Sequence, residues 1–221
     1  MIDQLKIGSK SSYDDFGASV KSRTINPPTK KEVKATVPFS NTTYDFTQIN
    51  GETYWNEREL EYVFEITADS PEQLEEKKTA FFAWVMNIIG GELHDPFITD
   101  YHFDATFSGI DVDDSEIEKS TITVTFTAYP YMIANAATVY DFALSSAVNS
   151  GIVVNDSAHP VAPTFVSDVP FSVTLNGNVY SVPAGEITDE HVKLMVGNND
   201  VSAVATSGSG KLSIRYNKEV F

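Results

Sequence analysis

The sequence contains no cysteine among its 221 residues. Disulfides, thiolate metal sites and cysteine nucleophiles are therefore excluded together. No apolar run approaches the roughly 20 residues that a membrane-spanning helix needs, so we expect no membrane insertion. The first residues, 1–6, lack the basic and then apolar layout of a secretory signal peptide. These absences predict a protein that is made in the cytoplasm.

Positive charge is scarce, with 15 Lys and Arg against 31 Asp and Glu, for a net charge of -16. A nucleic-acid binder usually presents a basic face, so we expect no sequence-specific nucleic-acid binding. The charge is uneven: residues 1–34 carry seven basic against four acidic side chains, residues 35–133 four against nineteen, and residues 134–221 four against eight. A basic arm thus precedes an acidic body. Either the charges form a solvated surface, or the arm of one subunit lies on the acidic body of the next.

Motifs for catalysis and for cofactor or metal binding are also missing. The sequence has no G-x-S-x-G, no P-loop, no G-x-G-x-x-G after a strand and no pair of histidines at the spacing of a zinc site. Residues 111–118 place acidic side chains at alternate positions, but the glycine of a calcium-binding EF-hand loop is missing. We therefore predict no enzyme activity and no catalytic, cofactor-binding or metal-binding residues, and we interpret residues 111–118 as a hairpin loop.

One long helix is predicted from Pro71 to Ile89. Ser70 can cap its first turn, Pro71 suits the first helical position, and Gly90-Gly91 can end it. Its apolar residues fall mainly on one stripe at helical spacing, which predicts that the helix packs on a sheet. The residues of this stripe are Leu74, Phe81, Phe82, Val85, Ile88 and Ile89.

Strict alternation of apolar and polar residues predicts two strands of that sheet, at 59–66 and 121–128. Lys30 to Val37 is predicted as a short strand that ends at Pro38, and Asn50-Gly51 as a hairpin turn. Residues 1–34 alternate weakly. They form either short strands joined by loops or an arm that reaches away from the core.

The composition changes after residue 133, where short apolar runs are separated by turn signals such as Asn176-Gly177. This spacing predicts an all-β sandwich. The predicted domains are therefore 1–133, with the basic arm at 1–34, and 134–221. The fold class is mainly β with one long α-helix.

The order of several motifs resembles the distal tail proteins of long-tailed bacteriophages and of prophage tails. The matching motifs, which cover about residues 30–133, are Val37-Pro38-Phe39, Tyr44-Asp45-Phe46, the strand from Trp55 to Phe64, the helix, Gly91-Glu92-Leu93-His94-Asp95, the aromatic strand at Tyr101, and Val124 to Tyr131. Residues 134–221 match only as a β-rich second domain of fitting length.

The resemblance implies a structural and non-enzymatic protein. It implies an N-terminal, antiparallel, sandwich-like domain, packed by a helix, that forms a hexameric ring, and a C-terminal galectin-like β-sandwich. The implied partners are five further copies of the chain, the tail tube protein and a tail-tip or baseplate hub protein. The implied location is the tail tip of the virion, after assembly in the bacterial cytoplasm. The phage and its host, and the ring face that meets the tube, stay open.

A ring of identical subunits pairs two different surfaces at each contact. We therefore expect the basic arm to meet the acidic, charged-aromatic strand of a neighbour, with aromatic residues as anchors. The residues predicted at this subunit interface are Lys30, Lys31, Lys34, Tyr54, Trp55, Glu59, Glu61 and Glu65.

The sequence leaves two other functions open. A carbohydrate-binding module could use the C-terminal domain to recognise a host cell-wall saccharide. That domain has no tryptophan to provide an exposed aromatic platform, which counts against this function. An enzyme such as a tail-borne glycosidase or peptidase has no supporting motif.

Overall fold

The computed structural model describes residues 3–48 and 53–221. Within them the chain forms seventeen strands and a single helix, which confirms the predicted fold class. The chain divides into two compact units, residues 1–132 with Phe221, and residues 133–220. The helix is α1 (Pro71–Val85), and the strands are β1 (Lys6–Ile7), β2 (Lys10–Ser11), β3 (Ala18–Ile25), β4 (Lys34–Thr36), β5 (Thr43–Asp45), β6 (Arg58–Thr67), β7 (Glu92–His94), β8 (Tyr101–Asp113), β9 (Lys119–Ala128), β10 (Met132–Leu144), β11 (Asn149–Asn155), β12 (Thr164–Ser167), β13 (Phe171–Leu175), β14 (Asn178–Val182), β15 (Gly185–Thr188), β16 (Gly197–Ala205) and β17 (Gly210–Val220).

Four antiparallel strands form the main sheet of the N-terminal unit, in the order β3–β6–β9–β8. The two predicted alternating strands are its centre: Phe64 of β6 pairs with Ile122 of β9, and both side chains are fully buried. Strand β3 pairs with β6, and this pairing is interrupted by a bulge between Val20 and Ser22. Strand β8 pairs near its start with β7, which in turn pairs with β1.

Helix α1 covers the apolar face of this sheet. The Ser70 hydroxyl accepts a hydrogen bond from the Gln73 N–H at 3.3 Å, and proline occupies the first turn, as the sequence predicts. Phe81 is fully buried, and its ring lies 5.1 Å from that of Phe64. Burial of a side chain of this size contributes about 1.5–3 kcal/mol, so the contact between helix and sheet is a main source of stability in this unit.

The predicted end of the helix is wrong. The helix ends at Val85, four residues before Ile89. After it, the Asn87 N–H bonds back to the Trp84 carbonyl, and the Asn87 side-chain amide caps the Ala83 carbonyl at 2.7 Å. These bonds satisfy carbonyls that a longer helix would have used. Ile89 is consequently 93 % exposed and does not belong to the buried stripe.

Residues 3–25 form short strands joined by loops, which is the first of the two alternatives predicted for residues 1–34. Leu5 and Ala18 are fully buried in the N-terminal core, and Ile7 and Val20 are nearly so. Burial of these side chains ties the segment to the sheet, so an arm that reaches away from the core cannot begin before residue 26.

The polar stretch that follows also differs from the prediction. Only Lys34–Thr36 of the predicted strand Lys30 to Val37 is a strand. It pairs with β5, a strand that was not predicted from the sequence. The strand ends at Thr36, two residues before Pro38. The predicted hairpin turn at Asn50-Gly51 lies outside the described residues.

The C-terminal unit is a two-sheet β-sandwich. One sheet has the order β11–β16–β13–β14, and the other contains β10, β17, β12 and β15. Their apolar side chains form a single cluster that includes Phe142, Phe165, Phe171 and Tyr216. The likeness of this unit to galectins stays a prediction.

The tight turn predicted at Asn176-Gly177 is confirmed. It joins β13 to β14, and both residues have positive φ, 49° and 85°, as a two-residue hairpin turn of type I′ requires. The short apolar run from Lys193 to Val196 is not a strand, and within it Leu194 forms a bridge with Val161. Within the described ranges, no helix is long and apolar enough to cross a membrane.

Candidate interaction surface

The segments that carry the predicted basic and aromatic residues lie side by side. Lys30 forms an antiparallel bridge with Trp55, and the Lys31 N–H donates to the Tyr54 carbonyl at 2.9 Å. Tyr54 is exposed, and Trp55 is half-buried. The structure thus brings together four of the predicted interface residues, two cations and two aromatic rings.

A short hairpin, β4–β5, projects from this base. Lys34 pairs with Asp45 in its ladder. Below the ladder, the Phe46 N–H donates to the Val33 carbonyl at 2.8 Å, and the Val33 N–H donates to the Thr47 hydroxyl at 3.1 Å. Thr47 is buried. The hairpin backbone is therefore held by its own hydrogen bonds.

The side chains of this hairpin are unusually apolar for an exposed segment. Phe39 at the tip is fully exposed, and the rings of Tyr44 and Phe46 stack with centroids 6.3 Å apart. Contiguous exposed apolar side chains mark interaction sites. The exposed apolar residues of the hairpin are Val33, Val37, Phe39, Tyr44 and Phe46. These residues were not among those predicted from the sequence to form the site, although the motifs around Phe39 and Phe46 carried the family resemblance. The signal that could have identified them is the presence of aromatic residues within an otherwise polar, proline-containing stretch.

The lysines near the hairpin differ in their surroundings. The Lys34 ammonium lies 2.7 Å from the Glu32 carboxylate, and this hydrogen bond raises the pKa of Lys34. Neither Lys30 nor Lys31 forms an ion pair with any residue in the described parts of the chain. Lys30 is nevertheless close enough to Asp45 to contribute to the lowered pKa of that carboxyl, whose main cause is its hydrogen bond from Thr47.

The predicted acidic residues lie on the face of β6 that the helix does not cover. Glu59 is exposed and Glu61 is half-buried. Glu65 is already neutralised, because its carboxylate lies 2.7 Å from the Lys21 ammonium and 3.0 Å from that of Lys119. The hydrogen bond from Lys21 lowers the pKa of Glu65, and that from Lys119 adds to the effect. Within one chain, no ion pair among the described residues joins the three predicted lysines to these three glutamates.

The acidic stretch 111–118 is the end of the β8–β9 hairpin. Its Asp114 accepts hydrogen bonds from the Lys78 ammonium at 2.6 Å and from the Ser120 hydroxyl at 2.6 Å. The hydrogen bond from Lys78 lowers the pKa of Asp114. Among the described residues, no group of three His, Asp, Glu or Cys side chains could hold a metal ion.

The histidines have acidic or aromatic neighbours. The His94 and His102 rings lie 5.5 Å apart, and His94 approaches Glu92 at 3.4 Å. In the C-terminal unit, the His159 ring contacts the Glu219 carboxylate at 2.6 Å. The contact between His94 and His102 joins β7 to β8, and the contact between His159 and Glu219 joins a loop to β17.

The outer face of the β11–β16–β13 sheet has a shallow depression of about 470 Å³. It is lined by hydroxyl groups, the Asp200 carboxylate and aliphatic side chains, with no aromatic ring. The large aromatic side chains of this unit instead point into its core, where Phe142, Phe165, Phe171 and Tyr216 are buried.

No family model matches the sequence, and no curated protein matches it either. Among solved structures, the chain is similar to the Dit protein (gp 19.1) of phage SPP1, which is described as a paradigm of the hub adsorption apparatus in phages that infect Gram-positive bacteria. The sequence identity is 12 %, the TM-score is 0.72, and the match covers 98 % of this chain and 99 % of that one. A chain of the phage P2 baseplate in its activated conformation matches at 9 % identity and a TM-score of 0.48, over 98 % and 99 % of the two chains. The predicted resemblance to distal tail proteins is thus confirmed at the level of the fold.

Proposed function

We propose that this chain is a structural component of a phage or prophage tail: a hub protein that forms a homohexameric ring and joins the tail tube to the tail tip or baseplate. The observation that carries the proposal is the shared fold with SPP1 Dit along nearly the whole of both chains. Its place would be the tail tip of the virion, with the tail tube protein and a tail-tip or baseplate hub protein as its partners.

The candidate surface supports self-assembly because it has two unlike parts. A ring of identical subunits needs heterologous contacts, in which one surface meets a different surface of the next copy. Lys30 and Lys31 beside Trp55 and Tyr54 supply a basic, aromatic surface. The open face of β6, with its acidic side chains, supplies the second.

The predicted residues contribute unequally to this interface. Lys34 and Glu65 have ion-pair partners within their own chain, so their charges attract a neighbour less. Lys30, Lys31, Glu59 and Glu61 are the stronger candidates for charged contacts between subunits.

The first test is the native mass in solution, measured by light scattering at several concentrations, with negative-stain images of the same sample. We expect about six times the 24.3 kDa of one chain and ring-shaped particles. The second arm mixes the chain with the tail tube protein of the same phage. A chain that stays monomeric alone and also fails to bind that tube protein would contradict the proposal.

Charge reversal tests the basic surface. Lys30→Glu with Lys31→Glu should weaken assembly, and more strongly at low salt, because exposed charges are screened by salt. The matched control is Lys6→Glu with Lys193→Glu, which changes the net charge equally at exposed positions elsewhere. Equal effects of the two double variants would mean that the charge asymmetry serves only solubility.

A saccharide-binding role for the C-terminal unit is the alternative, and it has less support. The depression on that unit offers hydroxyl groups and one carboxylate but no aromatic platform. Binding of the intact chain to a glycan array would favour this alternative.

A further inference from the structure

Arg58, the first residue of β6, is a buried cation that binds carbonyl groups. It is 6 % exposed, and among the described residues no acidic side chain forms an ion pair with it. Lys78, which is also buried, has both Glu75 and Asp114 as partners. Burial lowers the pKa of Arg58. Keeping a cation away from water without a counter-charge is costly, so its presence at this position calls for a compensating role.

The Arg58 guanidinium holds two backbone segments. Its Nε donates to the Asn26 carbonyl at 3.0 Å, and its Nη1 donates to the Pro130 carbonyl at 3.3 Å. Its Cζ lies over the Phe103 ring, 5.3 Å from the centroid. Asn26 follows β3, and Pro130 lies just beyond β9. One side chain thus fixes the points at which two segments of the chain leave the main sheet.

The first of these segments carries the candidate interaction surface. The chain leaves the sheet after Asn26 and rejoins it at Arg58. Between these two residues lie Lys30, Lys31 and Trp55, together with the β4–β5 hairpin. The hydrogen bond from Arg58 to the Asn26 carbonyl therefore ties the two ends of this segment to each other.

The second segment reaches the same aromatic side chain. Tyr131 follows Pro130, and its ring lies 5.0 Å from that of Phe221. The Phe221 ring in turn lies 4.9 Å from that of Trp55. All of these residues belong to the N-terminal unit. Both carbonyls that Arg58 binds are thus connected, each through its own segment, to the surroundings of Trp55.

We propose that Arg58 is a positioning residue: it sets the placement of Trp55 and Lys30, and thereby preorganises the surface through which copies of this chain associate. The proposal rests on the proposed ring-forming function and adds to it a buried residue that acts through others.

The energetics of burial favour this role over a purely stabilising one. A well-packed apolar side chain at the same depth would avoid the cost of removing a charge from water. Departures of this kind from what stability alone favours are typical of functional positions. A surface that is fixed before binding loses less conformational entropy on association, and the two hydrogen bonds of Arg58 provide that restraint.

A conservative substitution tests the role. Arg58→Lys keeps the charge but replaces the planar fork of donors by a single ammonium, which cannot hold both carbonyls in the same geometry. We expect it to weaken self-association, measured by sedimentation velocity, by about tenfold or more, the effect of losing one hydrogen bond to a charged group. In a Trp84→Phe background Trp55 is the only tryptophan, and its quenching by acrylamide should increase. The matched control is Arg215→Lys at an exposed arginine of the C-terminal unit, which should change neither quantity.

A covalent staple separates positioning from general stabilisation. The Asn56 side-chain amide donates to the Thr29 hydroxyl at 3.0 Å, and the sequence has no cysteine of its own. Thr29→Cys with Asn56→Cys, added to Arg58→Lys, can therefore form a disulfide across the base of the first segment. The oxidised protein should recover most of the lost self-association, and reduction should abolish the recovery. The same cysteine pair in a chain that keeps Arg58 is the control, and its self-association should equal that of the wild type.

The outcomes separate this inference from the function it rests on. Unchanged self-association or unchanged Trp55 quenching in Arg58→Lys, or no recovery with a staple that the control tolerates, would overturn the role of Arg58 and leave the hub proposal standing. Loss of cooperative urea unfolding in Arg58→Lys, with and without the staple, would show that Arg58 supports the fold as a whole and would overturn that role too. A wild-type chain that remains monomeric would overturn this inference and the homohexamer together; binding to the tail tube protein then judges the rest of the proposed function.

Discussion

The ion pair between Lys78 and Asp114 should contribute measurably to the stability of the N-terminal unit. The Lys78 side chain is 6 % exposed, and its ammonium lies 2.6 Å from Asp114 and 2.8 Å from Glu75. It connects helix α1 to the loop between β8 and β9. Burial works against the charge of Lys78, but its hydrogen bonds to Asp114 and Glu75 outweigh this effect and raise the pKa of Lys78.

The expected magnitude follows from the exposure of the two partners. Breaking a fully buried pair costs about 3–5 kcal/mol, whereas exposed pairs contribute at most about 1 kcal/mol. The Asp114 side chain is 49 % exposed, and Lys78 keeps Glu75 when Asp114 is removed. We therefore expect a coupling free energy of about 1–2 kcal/mol, between the two limits.

A double-mutant cycle measures this coupling, with the variants Lys78→Met, Asp114→Asn and both together. Methionine keeps most of the buried apolar stem of the lysine. Both tryptophans, Trp55 and Trp84, lie in the N-terminal unit, so tryptophan fluorescence during urea unfolding reports on that unit alone. With an m-value of about 2 kcal/mol/M, each single variant should lower the midpoint by about 0.5–1 M.

The pH dependence of the coupling provides a second check. The pKa of Asp114 is lowered in the folded chain, so the stabilisation is fully present above the unfolded pKa of about 3.9 and is lost as the pH falls through the lower folded value. A coupling energy within about 0.3 kcal/mol of zero at pH 7, the usual limit of additivity, would refute the reasoning.

Three further predictions concern other parts of the chain. The pKa of Glu65 is lowered by its hydrogen bonds from Lys21 and Lys119. The free energy of unfolding of the wild type should therefore exceed that of Glu65→Gln by a constant amount above about pH 5.5 and by a smaller amount at lower pH. A difference that does not change with pH in urea unfolding would contradict this. In the C-terminal unit, a Cβ at Gly151 would lie 2.9 Å from the Phe142 ring. Gly151→Ala should therefore lower the unfolding free energy by about 1–2 kcal/mol, which is the cost of overpacking less the entropic gain from replacing glycine. An unchanged or raised melting temperature in calorimetry would contradict this and show that the ring can move aside. Millimolar calcium should leave the urea midpoint of the wild-type chain unchanged, because the central carboxylate of the β8–β9 loop is bound to a lysine; a clear increase would reveal a bound ion.

The central strands of the N-terminal sheet could be predicted because one of their faces is buried and the other is not. Strand β6 alternates without a break, and its inward residues Leu60, Tyr62, Phe64 and Ile66 are all fully buried. The start of the helix could also be predicted from the sequence, because a capping serine and the proline that follows it act locally. Its end was not, because Ile88 and Ile89 continue the apolar pattern while the Asn87 side chain caps the last turn.

Elements held by tertiary pairing were missed. The residues of strand β10 alternate too weakly to predict a strand. The sequence suggested a domain boundary at this point instead. The candidate surface shows a related difficulty. An aromatic residue such as Phe39 or Tyr44 is usually part of a core, and only the structure shows that both are exposed on a two-stranded hairpin. The lysines and glutamates were identifiable by charge, but their partners within the chain, such as Glu32 for Lys34, depend on the fold.

The bulge in β3 has a consequence for the chain before it meets any partner. Among the described residues, β3 pairs with a strand on one side only. The Ala18 and Val20 N–H groups donate instead to the Ser12 and Asp3 carbonyls, and beyond them the other backbone edge could add strands from other chains. The bulge between Val20 and Ser22 interrupts that edge, and the Lys21 at the bulge is tied to Glu65 at 2.7 Å. An irregular, charged edge of this kind opposes open-ended strand addition. We therefore expect this edge to resist strand-to-strand aggregation of newly made subunits, so that their association depends on contacts between side chains.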